Sequence, residues 1–420
     1  MKSISIILTI FLTGVVFNSN ASAQLEFSGT TMGPIVYRVV VNEEVPGQER
    51  VQAGIQEQLD QINQLMSTYI EDSDVSKVNN SPANEWVAVD SLTVKVVQKS
   101  LELGKLTDGA FDITVGPAVK RWKFGPDSEV VRFPNDAEVA ELLASVGIDN
   151  VEVRESPPAI RKRNDETEID LSAIAKGFAV DQVASWLESE SFQNFMVEVG
   201  GEVVVRGEGP KGKWRIGIER PDVHGQAVAA VLELEDTAVA TSGDYRNVRL
   251  YNGKRISHTI DPKTCRPVSD PPASCSVIAS DCMTADAIAT AVMVMGAEKG
   301  IEFCKRNSFG LNVYQRNSTD EKIKSLKTDD FPIRSDGSSS GNSSERSILP
   351  AFVSTLVVFL LVIVGMAVGA IFNNRPITGS CGGIAAQKNE DGSSSCSMCQ
   401  KPVTDCPELQ DAEEQEQVAG

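Results

Sequence analysis

FMVEVGGEVVVRG, residues 195–207, decides the fold class. Runs of β-branched and apolar residues flank a Gly-Gly pair, which reads as two strands about a turn or bulge. Working outward, residues 175–187 form a helix candidate before this unit, and WRIGIE (214–219) and AVAAVLEL (227–234) read as strands after it. VRLYNGKRISHTI (248–260) reads as a hairpin turning at Asn252-Gly253. SCSVIAS (274–280) is a strand feeding a helix over 284–295 that stops at Gly296. Upstream, PIVYRVVV (34–41) is a strand. Val51, Ile55, Leu59, Ile62 and Met66 recur at helical spacing, and residues 92–106 and 137–146 are further helix candidates. Strands and helices interleave irregularly, without an internal repeat, so the class is α+β.

The chain has 420 residues and a formal net charge of -19. That balance excludes nonspecific nucleic-acid binding, which needs Lys and Arg in excess. It would also repel a phosphate-bearing ligand, so any such site should carry its own cation.

The chain divides by composition. Residues 1–23 read as an export signal: Lys2, an apolar stretch over 4–17, then Ala21-Ser22-Ala23 as a small-residue cleavage site. Residues 24–334 are the exported domain. A Gly/Ser-rich linker fills 335–347. Residues 348–372 carry no charge and are long enough to span a bilayer. Residues 373–420 then form a cytoplasmic tail. The expected location is a bacterial inner membrane, with the catalytic domain in the periplasm. Cys265, Cys275, Cys282 and Cys304 lie where disulfides are permitted. Cys381, Cys396, Cys399 and Cys406 lie in the tail, where reducing conditions favour metal or redox chemistry.

Four stretches mix small residues with a few polar groups: GTTMG (29–33), DLSAIAKGFAVD (170–181), SHTIDPKT (257–264) and TADAIAT (284–290). Asp286 and Thr290 are four apart and share a helix face. Carboxylate plus hydroxyl suits Mg²⁺, but the same pair also reads as an Asp facing its helix dipole and a Thr bonded back to its own helix. His258, in a polar turn beside Asp261-Pro262, is an acid/base candidate or a surface histidine. His224 sits in a Pro/Asp/Gly loop and takes no role. Asp170 stands at a strand end, with Lys176 in the first turn of the next helix. That arrangement suits a phosphate, or is ordinary capping by Asp170 or Ser172. GEGPKGK (207–213) has phosphate-loop spacing, but Trp214 stands where Ser or Thr should follow, so it reads as a hairpin turn.

With TDGAFD (107–112), EVGGE (198–202) and ATSGDYRN (240–247), these stretches resemble the ApbE family of FAD:protein FMN transferases. The resemblance runs from about residue 27 to 331. It implies that FAD is bound with Mg²⁺ and that FMN passes to a Thr or Ser of a target protein, releasing AMP. It maps metal ligands to Asp286, Thr290 and the backbone oxygen of Ala173. It maps FAD contacts to Met32, Tyr69, Ala110, Phe111, Asp112, Asp170, Lys176 and Ile260. It makes His258 the catalytic base, with Asp261 beside it. Cys265 stands where the family usually has Gly, and can tighten that turn or pair with Cys275. The acceptor sites of the family contain a Ser-Gly-Ala-Thr-like run that this chain lacks, so its targets are other proteins.

The span and tail resemble NqrM, a small membrane protein that matures the Na⁺-translocating NADH:quinone reductase. The four thiolates of Cys381, Cys396, Cys399 and Cys406 suit Fe or Zn, or are incidental cysteines of a disordered acidic tail; the resemblance points to Fe, and to acceptor subunits of a membrane redox complex as partners. The alternatives are an FAD pyrophosphatase giving FMN and AMP, a flavin-binding protein without turnover, and an inactive assembly scaffold.

Overall fold

The computed structural model describes residues 24–122, 133–221, 227–244, 249–251, 254–316 and 322–333. The chain begins with strands β1 (Gln24–Thr31) and β2 (Ile35–Asn42), a hairpin turning at Met32 and Gly33, both at positive φ. Helices α1 (Gln48–Met66) and α2 (Asp74–Asn80), strand β3 (Val87–Ala88), then α3 (Ser91–Leu106), α4 (Gly116–Arg121) and α5 (Asp136–Ser145) follow. Next come β4 (Val151–Arg154), β5 (Ala159–Lys162), α6 (Ala175–Ser189), β6 (Phe195–Val199), β7 (Glu202–Arg206), β8 (Trp214–Glu219), β9 (Val228–Leu234) and β10 (Thr237–Gly243). Short strands β11 (Arg249–Tyr251), β12 (Lys254–Ile256), β13 (Ile260–Asp261) and β14 (Arg266–Pro267) lead to β15 (Ser274–Ala279). Helices α7 (Cys282–Met295) and α8 (Ala297–Arg306) and strands β16 (Gly310–Arg316) and β17 (Ile323–Lys327) complete it.

Eight strands form one sheet, in the order β1-β2-β6-β7-β10-β15-β16-β17. Every neighbouring pair is antiparallel. Both faces are buried, and the strand residues show why. Val39, Val41, Val197, Val199, Val204, Ala238 and Ala240 face the main core, with α1, α3, α6 and α7. Their neighbours Val40, Met196, Val203, Val205 and Val239 face a second core under the β8–β9 hairpin, against Trp214, Ile216 and Leu232. A period of two thus places alternate residues in two different cores. The apolar residues of α1 read from its spacing, Val51, Ile55, Leu59, Ile62 and Met66, are all buried. A full burial of this kind is worth about 1.5–3 kcal/mol per side chain.

The structure corrects three expectations. Residues 207–213 do turn, with Gly209 and Gly212 bridged, but β7 and β8 belong to different sheets, so no hairpin forms there. Asp170 ends no strand: only an isolated bridge, Val115 to Glu168, precedes it. Cys265 and Cys275 are both free and buried, as are Cys282 and Cys304. Residues 1–23, the span at 348–372 and the tail with Cys381, Cys396, Cys399 and Cys406 lie outside the described residues, as does His224. Among the described residues no helix is long and apolar enough to cross a membrane.

Candidate active site

Helices α6 and α7 meet at the centre of the site. Gly177 permits the approach, since a Cβ there would stand 2.3 Å from the Cys282 carbonyl oxygen. The start of α7 is held from two sides. Asp281 caps it by accepting the Thr284 amide at 2.7 Å. Asp181, from α6, accepts the Cys282 and Met283 amides at 2.9 and 2.8 Å. Burial pushes the Asp181 carboxyl up to about 6, against the pull of those two amides.

This packing aims Asp286 outward from its own helix. It is 2 % exposed, and its Oδ2 accepts the Gly177 amide at 3.1 Å. That amide is the one that would bond the Ala173 carbonyl if the ladder of α6 ran back a further turn. The next amide, Phe178, does continue it, to Ile174 at 3.0 Å. The Ala173 carbonyl therefore forgoes that helix bond, which Asp286 takes instead. Thr290, one turn along α7, has its hydroxyl 3.5 Å from that of Ser242. Carboxylate, hydroxyl and carbonyl oxygens fit a hard cation such as Mg²⁺. No cluster of three or more His, Cys, Asp or Glu competes with this set among the described residues.

Capping does not explain Asp170 or Ser172, because α6 has no side-chain cap. Asp170 accepts the Ser172 amide at 2.9 Å, and its own amide bonds the Ile113 carbonyl at 2.7 Å. That bond joins it to the loop carrying Ala110, Phe111 and Asp112, all buried. Asp112 accepts both the amide and the hydroxyl of Thr114 at 2.8 and 2.6 Å. Burial nonetheless raises its carboxyl above the ordinary value. Asn79 fixes the same region, accepting the Ile169 amide at 2.7 Å and donating to its carbonyl at 2.9 Å.

Lys176 does not stand free. Its Nζ is 2.5 Å from Glu202 Oε1 and 3.6 Å from Asp286 Oδ1. Burial pulls the ammonium down, but Asp286 and Glu202 outweigh that and hold it above its ordinary value. Burial raises the Glu202 carboxyl.

His258 Nδ1 lies 3.6 Å from Asp244 Oδ1, so the carboxylate beside the histidine is Asp244. Asp261 turns both oxygens to its own loop, accepting the Lys263 amide at 2.9 Å and the Thr264 hydroxyl at 3.1 Å. Lys263 in turn pairs with Asp108 at 2.6 Å, tying this loop to the one holding Ala110 to Asp112. Ile260 packs with Trp122 and Cys265. Met32 packs against the main core. Tyr69 stands apart, 75 % exposed in the loop after α1. Sequence reasoning gave Asp244, Glu202 and Ser242 no role. Glu202 carried a signal, as a buried acid that opens β7 ahead of the apolar run VVV.

Comparison with known proteins identifies the family. The profile of the ApbE family matches residues 29–314. The FAD:protein FMN transferase of Vibrio cholerae is 38% identical over 310 residues, covering 73% of this chain and 92% of the relative. That of Escherichia coli K12 is 34% identical over 316 residues, covering 74% and 90%. Among solved structures, the flavin transferase ApbE from Vibrio cholerae superposes with a TM-score of 0.66 at 37% identity, covering 73% of this chain and 98% of that one. The apo flavinyl transferase ApbE of Pseudomonas stutzeri gives 0.67 at 32% identity, covering 73% and 95%. The chain belongs to the ApbE family.

Proposed function

We propose that this chain, an FAD:protein FMN transferase by its family, works with Mg²⁺ held by Asp286, Thr290 and the Ala173 carbonyl, and passes FMN from FAD to a Thr or Ser hydroxyl of an acceptor protein. One observation carries the reading. The end of β10, Ser242 to Asp244, touches both halves of the site: Ser242 meets Thr290, and Asp244 meets His258. The residues that contact the oxygen cluster and the base are thus two apart at the end of β10.

When bound, Mg²⁺ supplies neutralising charge to the pyrophosphate. The residues of the chain do the rest. His258 accepts the proton of the attacking hydroxyl, a poor nucleophile at neutral pH. Asp244 orients the imidazole through the Nδ1 side, leaving Nε2 for the substrate. Asp170, Asp112 and Ile260 line the place of the flavin nucleotide. AMP leaves as FMN is transferred.

The acceptor is a subunit of a membrane redox complex such as the Na⁺-translocating NADH:quinone reductase. The export signal, the apolar stretch at 348–372 and the four tail cysteines support this reading. In it the domain acts in the periplasm of an inner-membrane protein, and the tail handles iron on the other side. Deleting residues 353–406 should then lower the iron content and activity of the reductase; unchanged values would end the tail proposal.

The test of the transfer uses the full-length chain with FAD, Mg²⁺ and the extracytoplasmic domain of an acceptor subunit. The expected result is an acceptor heavier by one FMN, lost with Asp286→Ala. Free FMN with an unmodified acceptor would make the protein a pyrophosphatase, and intact FAD would make it a binding protein or scaffold.

A further inference from the structure

Lys176 is enclosed by two carboxylates, Glu202 at 2.5 Å and Asp286 at 3.6 Å. The unequal distances matter, because Asp286 is the only carboxylate in the proposed cation site. An ammonium drawn fully onto Asp286 would compete with a divalent cation for the same oxygen. Glu202 keeps it away. Its Oε1 makes the short contact, while Oε2 is buried and has no hydrogen-bond partner among the described residues. A buried carboxylate with one bare oxygen is costly, and nothing in the packing of β7 calls for one, since Val203, Val204 and Val205 complete the strand. The Gly200-Gly201 turn closes over the pair: a Cβ at Gly200 would stand 3.6 Å from both Glu202 Oε2 and Lys176 Cδ. The ammonium is therefore confined between the two acids, and their contest decides its position.

We infer that Glu202 is a positioning residue that sets divalent-cation affinity, by holding the Lys176 ammonium off the Asp286 carboxylate. The two acids and one ammonium together leave one negative charge, which the cation then meets at Asp286. The inference rests on the cation reading of Asp286, Thr290 and Ala173.

The experiment measures Mn²⁺ binding to the full-length chain from the loss of the free-ion EPR signal, with Asp286→Ala as the blank. Glu202→Gln should weaken binding at least tenfold. Glu202→Asp keeps the charge but withdraws the carboxylate, and should also weaken it. Lys176→Met added to Glu202→Gln should restore binding. Circular dichroism checks each fold, and Glu202→Asp carries the test if Glu202→Gln does not fold. Wild-type affinity in both Glu202 variants would overturn the inference while leaving the cation site standing. Weakening by Gln but not by Asp would also overturn it, reducing Glu202 to a remote charge. If the wild type bound no more Mn²⁺ than Asp286→Ala, the cation reading itself would fall, and the inference with it.

Discussion

The Gly177 amide and the Asp286 carboxylate are joined by a 3.1 Å hydrogen bond across two helices. It fixes the acid and takes the amide that the Ala173 carbonyl would otherwise bond, so the proposed cation ligands depend on how closely α6 meets α7. Gly177→Ala places a methyl group 2.3 Å from the Cys282 carbonyl. Overpacking of this kind costs about 1–3 kcal/mol. The separated helices should also lose Mg²⁺ response, visible as a higher Mg²⁺ requirement in an FMN-transfer titration beside a lower melting temperature.

Asp244 and Asp261 are both near His258 in sequence or space, and their variants should behave differently. Loss of the proposed base, in His258→Ala, should lower kcat about 10²–10⁴-fold. Asp244→Asn should lower kcat by less, with KM for FAD within about a factor of two of the wild type. Asp261→Ala loosens its own turn and should be read in KM for FAD. Steady-state kinetics at saturating acceptor separate the two.

Asp181 links pH to stability. Its carboxyl is raised from the ordinary 3.8 to about 6 in the folded protein, so the native state binds the proton more tightly than the unfolded chain does. The stabilisation is full below the unfolded value and is lost as pH rises through about 6. A shift of about two pH units corresponds to about 3 kcal/mol over that window. Denaturant melts of wild type and Asp181→Asn between pH 4 and 7 should diverge as the pH rises, because the neutral amide of the variant matches the protonated acid and has no slope of its own.

Cys265 is at φ +50°, in the left-handed region, and fully buried. A side chain there costs about 1–2 kcal/mol in backbone energy, while burial of so small a group returns a similar amount. Cys265→Gly should therefore be nearly neutral. Cys265→Ala keeps the strain and loses the thiol, so it should be the less stable of the two, the reverse of an ordinary core position. Thermal melts decide.

Asn79 clamps both backbone groups of Ile169, next to Asp170. Asn79→Ala removes both bonds and should cost about 2–3 kcal/mol. It should also raise KM for FAD more than it lowers kcat, because the displaced Asp170 is proposed to contact the nucleotide rather than to move protons.

Where apolar spacing is regular the sequence was readable: α1, α3 and the strands flanking Gly200-Gly201 lie close to where their patterns place them. Strand β10 was not, because TAVATSG is too rich in small residues to show alternation, and its partners β7 and β15 lie far apart in the chain. The turn at residues 207–213 misled for a related reason: local chemistry announces a turn but not which sheet the next strand joins. The spacing of Asp286 and Thr290 shows only that they share a helix face, which suits a Thr bonded back to its own helix as well as a cation; the family resemblance singled them out. Asp244 was not, because its nearness to His258 depends on how the end of β10 meets the loop after β12. The Glu202–Lys176 pair was hidden likewise, since two elements bring its members together.

The main sheet begins and ends with the first and last described strands, β1 at one edge and β17 at the other. Seven strand spacings of about 4.8 Å separate them, roughly 34 Å across the sheet. Tension applied to the two ends of the domain would act across the strands and open the sheet like a zip, one edge strand at a time. The outermost pairs, β1 with β2 and β16 with β17, would yield first. Helices α6 and α7 rest on the inner strands, so the domain could give at both margins before the proposed catalytic centre felt the load.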